Sequence, residues 1–204
     1  MYGVLKSSTN TGNDNELLFV FSTPLDIVSN QPAYRSDTMS LKTRVSSQNV
    51  QRWEIEAQIA ETNDSPNVLV HSTEKGLSEI FHIRMPQVYR SAPVPENLTL
   101  TTTSVKQIGS RNIDIAGLNG NDISGQFINF AGNSKVYLVT SIGTNGANAT
   151  ITPPLLTAIA QNASIIYGNK TTMAARYDAN TVLGIKYSDG ILVNQGSMKF
   201  IEAL

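Results

Sequence analysis

A period of two is the feature that most narrows what this chain can fold into. Across residues 125–156 (GQFINFAGNSKVYLVTSIGTNGANATITPPLL), short runs of alternating apolar residues are cut by turns rich in Gly and Asn and closed by Pro153 and Pro154. Alternation puts successive side chains on opposite faces of a strand, while Gly and Asn supply the backbone conformations of tight turns. A helix has no use for such a pattern, because its apolar stripe repeats every three to four residues. The stretch therefore predicts several short strands held together by turns.

The same reading extends in both directions. Residues 17–21 (LLFVF) read as a buried strand. Within 38–62, Leu41, Thr43 and Val45 alternate with Lys42 and Arg44; past residues 46–49, Trp53, Ile55, Ala57 and Ile59 alternate with Arg52, Glu54, Glu56 and Gln58. That pattern predicts a hairpin with one wet face, on which Glu54 and Glu56 sit as solvated residues. Ser65 before Pro66 predicts the start of a short helix, and Gly76 its end. Phe81, Ile83 and Met85 then alternate with His82 and Arg84 as a strand running to Pro86. Pro93 and Pro95 hold the residues before them out of the helical region, so 91–95 reads as an extended connector between two domains, 1–92 and 93–193.

In the second domain, 98–105, 112–118, 126–130, 135–142, 149–152, 164–167 and 171–177 are strand candidates, and 155–163 (LLTAIAQNA) predicts one or two helical turns. The fold class is mainly β (all-β with one or two short helices), and the second domain is expected to be a small OB-like Greek-key barrel or a compact sandwich. Residues 183–204 predict a further hairpin, turning at Ser188, Asp189 and Gly190, and then a terminal strand at 198–201. Alternation alone does not decide which domain that last strand joins.

Composition limits the chemistry. Charged residues make up 15% of the 204, with a formal net charge of -1, so the surface is polar but weakly charged. Phosphate binding depends on clustered Lys and Arg, which makes nucleic acid an unfavoured partner. Cysteine is absent, which rules out disulfides and thiolate metal sites. No apolar run approaches the length of a membrane helix, and the start has no signal-like segment, so a soluble, unsecreted protein is expected. His71 and His82 stand outside any metal or triad pattern. Asp114, Asn119, Asn121 and Asp122 lack calcium-loop spacing and suit a turn, while residues 117–120 lack the Lys-Ser/Thr of a phosphate loop. Trp53, the only Trp, falls on the apolar side of its strand and is expected in the core. No catalytic, cofactor-binding or metal-ligating residue is assigned, no cofactor is expected, and the chain is expected not to be an enzyme.

A resemblance enters at the opening stretch. Gly125, Phe127, Ile128 and Phe130, a turn, then Lys135, Val136, Tyr137, Val139 and Thr140, a second turn, and a strand ending in Pro153, Pro154 and Leu155 together resemble the second domain of distal tail proteins of long-tailed bacteriophages. The amino half is also similar to that family, through LKTRV, QRWEIEAQI and the strand ending IRMPQV around Pro86 and Gln87. The late hairpin and the final FIEAL complete the likeness, whereas the polar leader through Asn15 has no counterpart in it.

The resemblance implies a β-sandwich-like ring domain over 1–92, completed by the terminal strand 194–204, with an OB-like barrel over 93–193 projecting outward. It also implies a structural virion protein in the phage tail, assembled in the host cytoplasm. Its partners would be copies of itself in a hexameric ring, a tail tube protein and a tip or hub protein. Many strand edges and a weakly charged surface are compatible with head-to-tail packing of identical subunits. The competing expectation is a carbohydrate-binding module of a host-contacting appendage, with a host glycan bound by exposed Tyr and Asn side chains of the middle domain.

Overall fold

The computed structural model describes residues 1–37, 43–47, 50–60, 79–87, 94–144, 146–178, 186–188, 191–193 and 197–204. In chain order its strands begin with β1 (Gly3–Leu5), β2 (Leu17–Val20), β3 (Asp26–Asn30), β4 (Ala33–Asp37), β5 (Thr43–Ser47), β6 (Arg52–Gln58) and β7 (Phe81–Arg84). The middle of the chain adds β8 (Leu100–Thr102), β9 (Asn112–Ala116), β10 (Phe127–Phe130), β11 (Tyr137–Ile142), β12 (Asn148–Thr152) and β13 (Ser164–Tyr167). The last four are β14 (Thr172–Tyr177), β15 (Lys186–Ser188), β16 (Ile191–Val193) and β17 (Ser197–Glu202). Among the described residues the only helical segments are two three-residue 3-10 turns, Asp14–Glu16 and Gly168–Lys170. The protein is mainly β.

Seven strands form one antiparallel sheet in the order β2-β1-β7-β14-β17-β6-β3. This sheet curls until its sides meet. Phe21, just past β2, bridges Ile59, just past β6; Ser22 N–H donates to Gln58 O at 2.8 Å and Ala60 N–H to Val20 O at 2.9 Å. The inward residues Phe19, Phe21, Trp53, Ile55, Phe81, Ile83, Met173 and Phe200 fill the space enclosed. Gly3 is needed where β1 meets β2, since a Cβ there would lie 2.0 Å from Phe19 O.

Six further strands close into an antiparallel barrel in the order β10-β11-β12-β9-β8-β13. The pairing of β9 with β12, and of β13 with both β8 and β10, makes it more than a meander of neighbouring hairpins. Its core holds Leu100, Ile113, Ile115, Ile128, Phe130, Tyr137, Val139 and Ile151. Two hairpins stand apart from both bodies, β4 with β5 and β15 with β16.

Four expectations are corrected here. The hairpin expected between 41–45 and 53–59 does not form: β5 pairs with β4, and β6 lies between β3 and β17. Both edges of β6 are taken, one by β3 and the other by β17, which leaves none for β5. The second domain does not extend over 93–193 as one barrel, because Thr172–Tyr177 crosses back to pair with β7 and β17. Its Met173, Ala175 and Tyr177 lie in the core of the sheet, not of the barrel. Residues 155–163 make no helical turn; Ile159 and Lys106 exchange backbone hydrogen bonds at 2.8 and 2.9 Å across the barrel's end. Glu54 is buried, for reasons given below. The short helix expected after Ser65 and Pro66, most of the connector at 91–95, and His71 lie outside the described residues. The strand β17 runs between β14 and β6, which places the end of the chain in the seven-stranded sheet.

Candidate functional site

Two strands of the barrel are also a wall of the sheet's core. In β10, Ile128 and Phe130 point into the barrel while Phe127 belongs to the sheet's core, and all four residues of the strand are buried. Around β11, Tyr137 and Val139 point into the barrel, and Val136 and Leu138 pack on the sheet. The period of two that marks a strand therefore sends alternate residues to alternate cores. Trp53 seals the seam: its ring meets Phe127 edge-on with centroids 5.1 Å apart, and its Nε1–H donates to Val136 O at 2.9 Å. This is core placement, with the polar tip satisfied as a buried indole requires.

A buried ion pair sits beside the seam. Along β17, Met198, Phe200 and Glu202 point inward in phase, so the apolar face of the strand ends in a carboxylate. The Asn133 side chain accepts the N–H of Lys135 at 3.0 Å, a local turn that leads the chain into β11 and sends the lysine toward the sheet. The Lys135 ammonium donates to Glu202 Oε2, and to Gln51 O and Oε1, each at 2.9 Å. Glu202 also accepts the backbone N–H groups of Trp53 and Val136, both at 3.0 Å. All three ammonium protons are thus used, and both carboxylate oxygens are bonded. Burial pulls the Lys135 pKa below its ordinary value, and the adjacent Glu202 charge opposes that fall. Such a pair contributes little net stability but costs several kcal/mol when one partner is removed, since the other charge stays buried.

Gln87 makes a second clasp. Its Nε2 donates to Gly168 O at 2.8 Å and its Oε1 accepts the N–H of Phe127 at 3.1 Å, tying the end of β7 to the start of β10. Thr171 adds a hydroxyl donated to Phe127 O at 2.9 Å. The polar leader is anchored to the same sheet by Arg84, whose guanidinium is fully buried. It donates to Asp14 Oδ1 at 2.8 Å and to Asn13 O at 2.6 Å, and lies 3.5 Å from Glu16.

The residues weighed from the sequence are scattered. His82 lies half-buried on β7, and burial lowers its pKa. Glu54 and Glu56 do not share one wet face. Glu56 is exposed, but Glu54 is covered by the groups it binds, Asn30 at 2.7 Å, Arg52 at 3.0 Å and Lys199 at 2.9 Å. Its pKa is pulled down to about 2, first by the Lys199 ammonium and then by the Asn30 amide. Asp114 pairs with Lys106 at 2.8 Å and accepts Ser104 Oγ–H at 2.6 Å. Asp122 accepts the N–H of Ser124 at 2.8 Å, the bond of a local turn. Among the described residues no three His, Asp or Glu side chains gather as a metal site would require. Tyr137 and Tyr167 are buried, and their hydroxyls accept the N–H groups of Leu156 and Leu98, so neither is available to stack on a sugar. Gln51 and Glu202 escaped the sequence reading, and Arg84 and Gln87 entered it only as parts of a strand pattern; a carboxylate in phase with Met198 and Phe200 was the one visible signal.

Compared with known proteins, the chain matches no family model, and a search of curated proteins finds no match.

Proposed function

We propose that this protein is a structural subunit of a phage virion, a distal tail ring protein that joins the tail tube to the tip or baseplate, and that it is not an enzyme. The motif resemblance in residues 125–156 supplies the family, and one structural observation supports a role in assembly. The seven-stranded sheet closes on itself at Phe21 and Ile59 but is left with β3 as its last strand. Among the described residues β3 pairs only with β6, and Val28 on it is 52% exposed. An unpaired strand edge next to a closed body offers backbone donors and acceptors to another chain. The occupant we assign is a second copy, packed head to tail so that repeated rotation closes a ring. The shared wall of β10 and β11 would keep the barrel in one orientation on each copy.

Mass photometry of the full chain, alone and with a tail tube protein, tests this reading. A discrete ring-sized species that Val28→Lys disperses supports it, together with antibody label at the junction of tube and tip in intact particles. A strictly monomeric chain under both conditions, or label confined to the capsid, contradicts it.

A further inference from the structure

Between β1 and β2 the chain makes a loop, residues 6–16 (KSSTNTGNDNE), whose neck is closed where Lys6 N–H donates to Glu16 O at 2.9 Å. The loop is folded by its own side chains, as compact surface loops are. Glu16 accepts the N–H of Thr11 at 2.9 Å and its hydroxyl at 2.5 Å, and Gly12, at φ +98°, turns the tip. From the tip, Asn10 Nδ2 donates to Asn169 O at 2.9 Å and to Thr172 Oγ1 at 3.0 Å, so the loop reaches across β7 to β14. Beneath it lies Arg84, with no exposure at all, although the groups that hold its guanidinium, Asn13, Asp14 and Glu16, all belong to this outer and largely exposed loop. Each carboxylate reaches the guanidinium through one oxygen, and Arg84 Nε–H has no partner. The residues paired with Arg84 on either side are uncharged, Gly3 on β1 and Thr172 on β14, and His82 follows it two residues away on β7. The other charges at the loop are the Met1 amine, 3.2 Å from Asp14, Lys6 on Asn15 O, Lys170 alongside Gly12, and Glu96, which accepts from the Asn169 amide beyond the tip. Asp14 and Glu16 are therefore the counter-ions of Arg84.

The geometry points to an acid-released clasp: protonation of Asp14 and Glu16 removes both counter-ions of Arg84, and the loop swings off β7 and β14 about its neck while the sheet stays folded. A closed loop with neutral carboxylates would leave a guanidinium buried and unpaired, a cost that opening relieves by admitting water. Opening forfeits no apolar burial by the loop itself, since residues 6–16 hold no aliphatic or aromatic side chain larger than that of threonine, so it lies below global unfolding. The Thr11 hydroxyl first, then the Thr11 N–H and the Arg84 charge, hold the Glu16 pKa below its ordinary 4.5 against the opposing effect of desolvation. The stabilisation from Glu16 is thus complete above pH 4.5 and is lost as the pH falls through the lowered value. The clasp does not require ring formation, since β1 and β7 lie toward the opposite end of the sheet order from β3.

NMR on the full chain between pH 7 and pH 3 tests this, with amide exchange corrected for the intrinsic effect of pH. Protection at Thr11 and Gly12 should fall by about tenfold or more, and the Asn10 side-chain amide protons should move to the shifts of a free amide. Met85, which donates to Thr171 O beside Arg84, and Val139 in the barrel should keep their protection. Asp14→Asn with Glu16→Gln should give the open loop already at pH 7, whereas Glu56→Gln, an exposed carboxylate on β6, should leave the profile unchanged. Closed-loop Asn10 signals at pH 3, or a loop that stays closed at pH 7 in the double variant, would overturn the proposal. Loss of protection at Met85 and Val139 together with the loop would also overturn it, because the transition would then be acid unfolding of the whole chain.

Discussion

The strands β10 and β3 are built by the same rule and meet opposite fates. In β10 (FINF) every residue is buried, because one face fills the barrel and the other lies against the sheet. In β3 (DIVSN) no residue is fully buried, and Val28 faces outward. The difference lies not in strand propensity, which Phe and Ile give to β10 and Ile and Val give to β3, but in what stands across from each face. A strand between two cores carries the load of joining them, while a strand at the end of a sheet is left open to a partner. Substitutions in the first should therefore act on folding, and those in the second on assembly.

The largest effect that would break this contrast is at the seam. Glu202→Ala leaves the Lys135 ammonium buried without its counter-ion and frees the N–H groups of Trp53 and Val136. A loss of about 3–5 kcal/mol in denaturant unfolding is expected. Replacing both partners by apolar residues of similar size, as in Lys135→Met with Glu202→Leu, should restore much of it. Phe127→Ala opens a cavity facing Trp53 in the sheet's core and should cost about 3–4 kcal/mol by the same measurement.

A milder test lies on the outer side of β6. Glu54→Gln weakens a pairing whose cations, Arg52 and Lys199, are 48% and 39% exposed, so water screens it and about 1 kcal/mol is expected. Because the Glu54 pKa is lowered from about 4.5 to about 2, its contribution is fully present above pH 4.5 and is lost as the pH falls through 2. Unfolding curves of the parent and of Glu54→Gln should thus converge across that window. The smallest effect on folding belongs to β3: Val28→Lys should change stability by less than about 0.5 kcal/mol while abolishing self-association, as read by mass photometry.

These two strands also show how far the sequence could be read. The alternation in 125–156 located β10, β11 and β12 to within a residue or two, because each strand has a period of two and a turn rich in Gly or Asn beside it. Pairing was less legible. A hairpin between 41–45 and 53–59 is the local solution, but β6 is paired by β3 and β17, the latter more than a hundred residues away, and alternation carries no information about such partners. The same limit misplaced Thr172–Tyr177 in the barrel. Burial of Glu54 was hidden because Lys199 and Asn30, which cover it, come from other strands. The seam was partly visible: Lys135 is the lone charge in an apolar run, and Glu202 ends an apolar face, but only the fold brings the two into contact.

Native-state hydrogen exchange in the parent and in Glu202→Ala tests most directly whether barrel and sheet share one wall. The amides to follow are Val139, which donates to Gln126 O at 3.0 Å in the barrel, and Phe200 in the sheet. If the wall is shared, both should lose the same protection, because opening the seam exposes both cores at once. Loss at Phe200 with Val139 unchanged would mean that the two bodies unfold separately, and would contradict the account.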